Sequence, residues 1–251
     1  MRVTYVGHAT VLIEDSDSAI VTDPLLRRRV GHLRRQGELP APLPQLDGVL
    51  ISHLHRDHLD TPSLKRIADG TPAVLPASGV SAMRRTRLQP LPIEEGGEQR
   101  LGAFRVLAVP ADHPTRRTPL GPATDALGYV LTAPGGSVYF AGDTDLFDGM
   151  RAIGDLGLDV ALLPVAGWGP TLGPGHMDPR AAAEAAARLR PRIAIPIHWG
   201  TFLPIGLARR NSALLTEPAR AFERHMAELA PATRVEVLAP GESLELEAES
   251  A

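Results

Sequence analysis

The sequence of 251 residues predicts an α/β fold, and three observations carry that prediction. Short runs rich in Val, Ile and Leu recur along the whole chain and are bounded by Gly, Pro or Asp, as β-strands commonly are. Segments with helical periodicity lie between several of these runs, and strands that alternate with helices indicate layers of both. Histidine or aspartate follows several of the runs, at the position where the functional loops of α/β sheets begin.

The predicted strands form two clusters. Residues 2–22 have the pattern of three strands joined by tight turns, and so do residues 104–141. Each cluster is followed by alternating helices and strands, which predicts two similar halves, about 1–125 and 126–251, packed into one domain spanning 1–251. The predicted strands are Arg2–Val6, Thr10–Glu14, Ala19–Thr22, Gly48–Ser52, Phe104–Val109, Gly128–Leu131, Ser137–Ala141, Val160–Leu163, Arg192–Ile197 and Arg234–Leu238.

The clearest predicted helix is Pro179–Arg190. Asp178 is a favourable N-cap for it, and Pro179 stands at the first helical position, where its fixed φ and missing N–H are tolerated. The other predicted helices are Thr61–Ala68, Leu146–Leu156 and Thr216–Leu229.

Composition narrows the function classes. The chain has no cysteine, so disulfides, a cysteine nucleophile and thiolate metal ligands are excluded. No apolar run approaches the roughly 18 residues of a transmembrane helix. The N-terminus lacks the apolar block and cleavage site of a signal peptide, and we expect a cytoplasmic protein. The net charge of −3 does not favour nucleic-acid binding.

Charge is unevenly distributed. Residues 27–35 carry five arginines, Arg27 to Arg35, and residues 242–250 carry four glutamates. We predict that the arginine segment forms a solvated face and that the glutamate segment forms a frayed tail. Whether the arginines bind a ligand stays open. His32 and His225 lie in helix-like charged segments and are predicted to be surface residues.

The densest chemical signal is the segment ISHLHRDHLD at residues 51–60, directly after a predicted strand. It holds four potential metal ligands within six residues, and imidazole and carboxylate are the ligands that suit zinc, manganese or iron when thiols are absent. Three more ligand-type residues each follow their own strand. The seven residues suffice for two metals that share one carboxylate: His53, His55, Asp57, His58, His113, Asp143 and His198.

This order of ligands, HxHxDH followed by a single His, Asp and His, resembles the metallo-β-lactamase fold superfamily. The resemblance implies a four-layer αββα sandwich with two divalent metal ions at one edge, Zn²⁺ being favoured and Mn²⁺ or Fe²⁺ being alternatives. The implied sets are His53, His55 and His113 for the first metal, Asp57, His58 and His198 for the second, and Asp143 as the bridge.

A narrower resemblance rests on five further segments: GHATVLIE (7–14), TDP (22–24), FAGDTD (140–145), HMDP (176–179) and IHWGTF (197–202). With the ISHLHRDHLD segment they look like N-acyl-phosphatidylethanolamine phospholipase D and, more loosely, the L-ascorbate 6-phosphate lactonase group. The chain is shorter than the animal phospholipase.

Four other residues are candidates for roles around the metals. Asp23 ends the third strand and is predicted to orient a ligand loop, as carboxylates beside metal ligands often do. His8 lies in the turn between the first two strands and is predicted to support a ligand or contact substrate. His176 precedes a capped helix, whose N-terminus favours anions, and is predicted to contact a phosphate or leaving group. Trp168 lies in a loop that is predicted to form a substrate wall.

The expected activity is metal-dependent hydrolysis, in which a hydroxide held between two metals attacks a phosphorus or carbonyl centre. Asp57 is expected to orient this nucleophile or take its proton while also binding a metal. The favoured substrate is a phosphodiester or a phosphorylated small molecule or lipid. The alternatives are a lactone or other carboxylic ester, and an iron-dependent oxidation on the same fold. A small-molecule or lipid-like substrate is the expected partner, nucleic acid is not, and a homo-oligomer remains open.

Overall fold

The computed structural model of the chain describes residues 1–116, 123–167, 171–207 and 211–246. Its strands are β1 (Arg2–Gly7), β2 (Thr10–Asp15), β3 (Ser18–Thr22), β4 (Arg29–Val30), β5 (Leu33–Arg35), β6 (Gly48–Leu50), β7 (Pro72–Pro76), β8 (Gln89–Ile93), β9 (Glu98–Leu101), β10 (Phe104–Pro110), β11 (Thr115–Arg116), β12 (Ala123–Thr124), β13 (Leu127–Ala133), β14 (Gly136–Phe140), β15 (Val160–Pro164), β16 (Ile193–Ile197), β17 (Phe202–Pro204), β18 (Arg234–Val235) and β19 (Ser243–Glu245). Its α-helices are α1 (Thr61–Leu64), α2 (Val80–Met83), α3 (Met150–Gly154), α4 (Pro179–Leu189) and α5 (Glu217–Leu229).

Two seven-stranded mixed sheets share one organisation. The first has the order β19-β1-β2-β3-β6-β7-β8 and the second the order β18-β16-β15-β14-β13-β10-β9. Antiparallel pairing gives way to parallel pairing after β3 in the first sheet and after β14 in the second. The sheets do not coincide with the predicted halves, because β9 and β10 already belong to the second sheet and β19 returns to the first.

Among the described residues, the core consists of three large apolar layers and one small cluster of Leu25, Val30, Leu33 and Phe202. One lies between the two sheets, one between the second sheet and helices α3, α4 and α5, and one between the first sheet and helices α1 and α2. Alternate residues of a strand serve two layers: Val160 and Leu162 of β15 face the other sheet, while Ala161 and Leu163 face the helices. This is the predicted αββα sandwich, with both faces of each sheet covered.

The predicted helices differ mainly in length. The expected cap of α4 is present, since the Asp178 carboxylate accepts from the Ala181 N–H at 2.8 Å. The helix predicted over Thr61–Ala68 ends at Leu64, beyond which Arg66 bonds only three residues back. The helix predicted over Leu146–Leu156 is confined to α3, and the strand predicted over Arg234–Leu238 is confined to β18.

Several observed strands were not predicted, notably β7 and β8. Both contain prolines, which read locally as strand breakers. The sheet tolerates the prolines of β8 because β8 is its outermost strand. The N–H groups that Pro90 and Pro92 lack would have no partner on the outer side. The tail predicted to be frayed is ordered as far as β19, which pairs with β1.

The arginine-rich segment forms a hairpin of β4 and β5, and β5 pairs with β17 in a small third sheet. His32 is exposed in its turn, so it is a surface residue but not a helical one. Arg35, by contrast, is buried, which contradicts a wholly solvated face. In the described ranges, no helix has the length and apolarity needed to cross a membrane.

Candidate metal centre

The seven predicted ligands converge at one edge of the sandwich. They follow β6, β10, β14 and β16, whose ends meet there. Hydrogen bonds join the sheets next to the centre: for example, the Tyr129 hydroxyl donates to the Ile51 carbonyl at 2.8 Å, and the Leu127 N–H donates to the Ser52 carbonyl at 2.9 Å. The first ligand loop is therefore anchored to the second sheet.

One ligand set consists of His53, His55, His113 and Asp143, whose candidate ligand atoms all lie within 4.8 Å of one another. His55 Nδ1 lies 2.9 Å from His53 Nε2 and 3.2 Å from His113 Nε2. Nitrogen atoms with lone pairs gathered this closely are arranged as ligands to a common cation would be.

The second set consists of Asp57, His58, His198 and, in addition, His8, within the same 4.8 Å limit. His8 Nε2 lies 2.9 Å from Asp57 Oδ2, so His8 can donate to that carboxylate. His8 thus lies beside a candidate ligand, and its predicted role, to support a ligand or contact substrate, stays a prediction.

Asp143 lies between the two sets. Its Oδ2 is 3.8 Å from His53 Nε2 and 3.1 Å from His58 Nε2, while its Oδ1 is 3.4 Å from His198 Nε2. Its carboxylate is the only one among the described residues that faces imidazoles of both sets at these distances.

Asp23 and Ser52 orient two of the imidazoles. The Asp23 carboxylate accepts from the Ser52 N–H at 2.8 Å and the Ser52 hydroxyl at 2.5 Å, and it lies 2.7 Å from His58 Nδ1. Ser52 Oγ is in turn 3.0 Å from His53 Nδ1. Both Nδ1 atoms are thus assigned as donors, which leaves both Nε2 atoms free to bind a metal.

Gly175 orients a third imidazole. Its carbonyl lies 2.7 Å from His113 Nδ1 and can only accept, so His113 Nε2 is again left for a metal. A Cβ at Gly175 would come within 2.5 Å of Pro114 and 2.7 Å of His113 Nδ1, and its φ of +77° also favours glycine. Only glycine allows the backbone to approach this closely.

The buried polar atoms that remain test whether a metal fits. Among the described residues, His58 Nε2, Asp143 Oδ1 and His198 Nε2 are buried and make no hydrogen bond. Such atoms are costly unless they find a partner. Imidazole nitrogens and a carboxylate oxygen form a donor set suited to Zn²⁺ or a similar ion. The residues therefore fit the metals that the fold implies.

Burial sets the protonation of most of the imidazoles. It lowers their pKa values below 6.5, so they are neutral at pH 7, as metal ligands must be. The affected residues are His53, His55, His113, whose pKa falls to about 4, and His198, whose pKa falls to about 3.

His58 is the exception. Burial alone would lower its pKa, but the carboxylates of Asp143 and Asp57 outweigh burial and raise the pKa of His58 well above 6.5. Burial would likewise raise the pKa of Asp143, but His198 and His58 hold it well below the usual range. The centre thus attracts positive charge where the two sets meet.

Strained backbone supports the second set. His8, Asp23 and His198 have φ values of 62°, 33° and 64°, in the left-handed region that non-glycine residues seldom adopt. The His198 N–H donates to the His8 carbonyl at 2.8 Å, and the Tyr5 hydroxyl donates to the Trp199 carbonyl at 2.6 Å. Strain of this kind is concentrated at functional sites, where the surrounding contacts maintain it.

His176 lies at the open side of the centre. Its Nε2 is 3.4 Å from Asp143 Oδ2, and its Nδ1 is 3.2 Å and 3.1 Å from the Gly173 and Pro174 carbonyls. Its side chain is 22% exposed, so a substrate can reach it. The Gly173 and Pro174 carbonyls and Asp143 position His176, and its predicted contact with a phosphate or leaving group stays a prediction.

One predicted residue and three residues that were not predicted remain to be placed. Trp168 lies outside the described residues. Ser52, Gly175 and Arg56 were not predicted to serve the site, although Ser52 and Arg56 stand inside the ligand segment and Gly175 directly precedes His176. Only Gly175 carried a local signal, as a glycine beside a candidate histidine.

Comparison with known proteins assigns the family. The sequence model of the β-lactamase superfamily domain matches residues 18–199. A UPF0173 metal-dependent hydrolase of Thermus thermophilus is 32% identical over 88% of this chain and 92% of its own length. A UPF0173 metal-dependent hydrolase of Methanoculleus marisnigri is 35% identical over 100% of this chain and 99% of its own.

A solved structure agrees with the fold. Igni18, described as a metallo hydrolase from Ignicoccus hospitalis, superposes with a TM-score of 0.69 at 24% identity and covers 97% of both chains. The narrower resemblance to the phospholipase D and lactonase branch finds no support in these relatives. With the fold, the clustered ligands and relatives of matching length, the chain belongs to the UPF0173 metal-dependent hydrolase family of the metallo-β-lactamase fold.

Proposed function

We propose that this metal-dependent hydrolase uses two metal ions and acts on a phosphodiester or a phosphorylated small molecule or lipid. The observation that carries the dinuclear part is the place of Asp143, whose two oxygens face imidazoles of both ligand sets. The binding of two neighbouring cations is favourable only if an anion between them offsets their repulsion. The Asp143 carboxylate would be that anion.

The surrounding residues have distinct roles in this proposal. When bound, the two ions supply a water-derived nucleophile near neutral pH and offset charge in the transition state. Asp57 binds one ion and orients the attacking water, while His8 holds the Asp57 carboxylate at 2.9 Å. His176, partly exposed beside Asp143, contacts the phosphate or the leaving group.

A cavity of about 220 Å³ beside the centre supports the substrate class. The ligands His55 and Asp57 form one side of it and the β4–β5 hairpin forms the other. Arg56 also lines it, is exposed, and makes no ion pair or hydrogen bond within the described ranges. A free guanidinium beside two metal ligands suits a phosphate, which it can bind through two parallel hydrogen bonds.

The metal count tests the dinuclear proposal. We expect about two equivalents of Zn²⁺ or Mn²⁺ per chain after reconstitution, measured by elemental analysis. His113→Ala and His198→Ala should each lose about one equivalent, because these residues belong to different sets. A count that stays at one under saturating metal would rule out the dinuclear site.

Arg56 tests the substrate class. We expect Arg56→Ala to raise KM for bis(p-nitrophenyl) phosphate at least about tenfold, since a hydrogen bond to a charged group is worth roughly 1.5–3 kcal/mol. Metal content and the hydrolysis of uncharged p-nitrophenyl acetate should not change. Arg28→Ala, which removes an exposed arginine that does not line the cavity, is the matched control. A wild-type preference for the acetate, unaffected by Arg56→Ala, would favour a carboxylic-ester hydrolase instead.

A further inference from the structure

Arg35 is a buried cation with unused donors. Its residue is only 5% exposed. Nη2 donates to the Leu25 carbonyl at 2.8 Å, Nη1 donates weakly to the Val6 carbonyl at 3.4 Å, and the guanidinium lies over the Phe202 ring at 4.9 Å. In the described part of the chain, Nε has no hydrogen-bond partner and no carboxylate pairs with Arg35.

This arrangement is unusual for a buried charge. Removing a guanidinium from water is expensive unless an anion accompanies it, which is why buried charges are normally paired. Burial lowers the pKa of Arg35 to about 10, so the side chain stays charged at neutral pH. The neighbouring Arg27 shows the ordinary solution, an ion pair with Asp60. Among the residues that the structure describes, Arg35 has no such carboxylate partner.

A cavity of about 540 Å³ lies next to Arg35, within the size range of small-molecule sites. It is lined by the segment 36–43, by Thr201 and by Leu215, which ends the short 3-10 turn before α5. Apolar side chains dominate its walls: Val6, Leu12, Leu39, Leu43 and Leu215. It shares no lining residue with the cavity beside His55 and contains no candidate metal ligand.

We propose that this cavity is a second binding site, for a small carboxylate with an apolar body. The planar guanidinium matches a carboxylate, Arg35 lines the cavity, and its Nε has no hydrogen-bond partner among the described residues. Arg35 is the one cation among the described residues that line the cavity, and the Glu38 carboxylate also lies in the lining, so a monoanion fits better than a multiply charged phosphate. The apolar walls accept an aliphatic chain and would gain from burying it.

The Phe202 ring separates the proposed site from the candidate metal centre. The Phe202 ring that covers the Arg35 guanidinium also lies 5.7 Å from the His8 ring, edge to face. Thr201, in the cavity wall, accepts the His8 N–H at 3.0 Å. Binding at Arg35 requires no metal, so its test is separate from that of the hydrolytic centre.

Isothermal titration calorimetry with sodium octanoate, on metal-loaded protein at fixed ionic strength, tests the site. We expect saturable binding of octanoate and at least about tenfold weaker binding of the uncharged octanamide, as the loss of a charged hydrogen bond implies. Arg35→Met should weaken octanoate binding by a similar factor. Arg34→Met, which removes the exposed arginine next to it in β5, should leave binding unchanged.

A second variant guards against misfolding of Arg35→Met. Leu39→Glu places a carboxylate on a wall residue that is 39% exposed, and it should weaken octanoate binding while preserving the melting temperature. Three results would each overturn the proposal: no octanoate binding to the wild type at 10 mM or so, equal binding of octanamide, or undiminished binding to a folded Arg35→Met or Leu39→Glu variant. The last result would locate the probe elsewhere, for example on the metals.

Discussion

Asp143→Ala is expected to abolish hydrolysis and to weaken metal binding at both ligand sets. The carboxylate faces imidazoles of both sets, so in the proposed dinuclear site its loss would remove a ligand from each set and leave two neighbouring cations without a shared anion. We expect kcat/KM to fall by more than about 10³-fold, the upper range for removing a single oxyanion-stabilising donor. Elemental analysis and activity on the same preparation measure the two effects together.

Two further variants make this test specific. Asp145→Ala removes a carboxylate two residues away whose hydrogen bond among the described residues is with the Leu146 N–H, and it should retain metal and activity. Asp143→Asn keeps the shape and removes the charge, so it separates charge neutralisation from packing. If Asp143→Ala kept two metals and near-normal turnover, Asp143 would not be the bridge.

The convergence of the candidate ligands could be predicted from the sequence because each position carries a local signal. A strand ends, and a residue able to bind metal follows within a few positions, as His53 follows β6 and His198 follows β16. Parallel strands bring such positions to one edge of the sheet without any knowledge of the three-dimensional contacts. For the same reason the α/β class, now confirmed, could be predicted from apolar runs and a single well-capped helix.

The supporting contacts could not be predicted, because they join residues far apart in the chain. Asp23 reaches His58 across 35 residues, and the Gly175 carbonyl reaches His113 across 62. Nothing in either local sequence specifies its partner. The role of Asp23 could only be suggested from its position at a strand end. The sequence did not predict that Ser52 connects the Asp23 carboxylate to His53 Nδ1.

Burial of a charged residue was the hardest feature to predict. Five arginines in nine residues are typical of a solvated face. Because Arg34 and Arg35 are the same residue type, the sequence does not reveal that Arg34 is exposed and Arg35 is buried in β5. Arg35 becomes buried only because β5 pairs with β17, a strand nearly 170 residues later in the chain. For a similar reason β8 was not predicted to be a strand. Its prolines are compatible with a strand only at the edge of the sheet, and the sequence does not show that position.

His176 belongs to the centre by geometry but not by the ligand pattern. Its Nδ1 faces two backbone carbonyls, which only accept, so that nitrogen carries a hydrogen. Burial would lower the pKa of His176, but Asp143 and the carbonyls of Gly173 and Pro174 raise it. The side chain is therefore drawn toward the protonated form, in which Nε2 can donate to an anionic oxygen of the substrate.

His176→Ala is accordingly expected to lower kcat by about 10²–10³-fold, the usual loss for a preorganised donor, while both metals stay bound. Metal content, melting temperature and kcat should be measured on one preparation, with His225→Ala on α5 as a histidine control remote from the ligand sets. A merely structural histidine would lower the melting temperature and spare the kcat of folded molecules, which would contradict the assignment. Loss of a metal would instead make His176 a ligand, because its Nε2 lies only 3.4 Å from the Asp143 carboxylate.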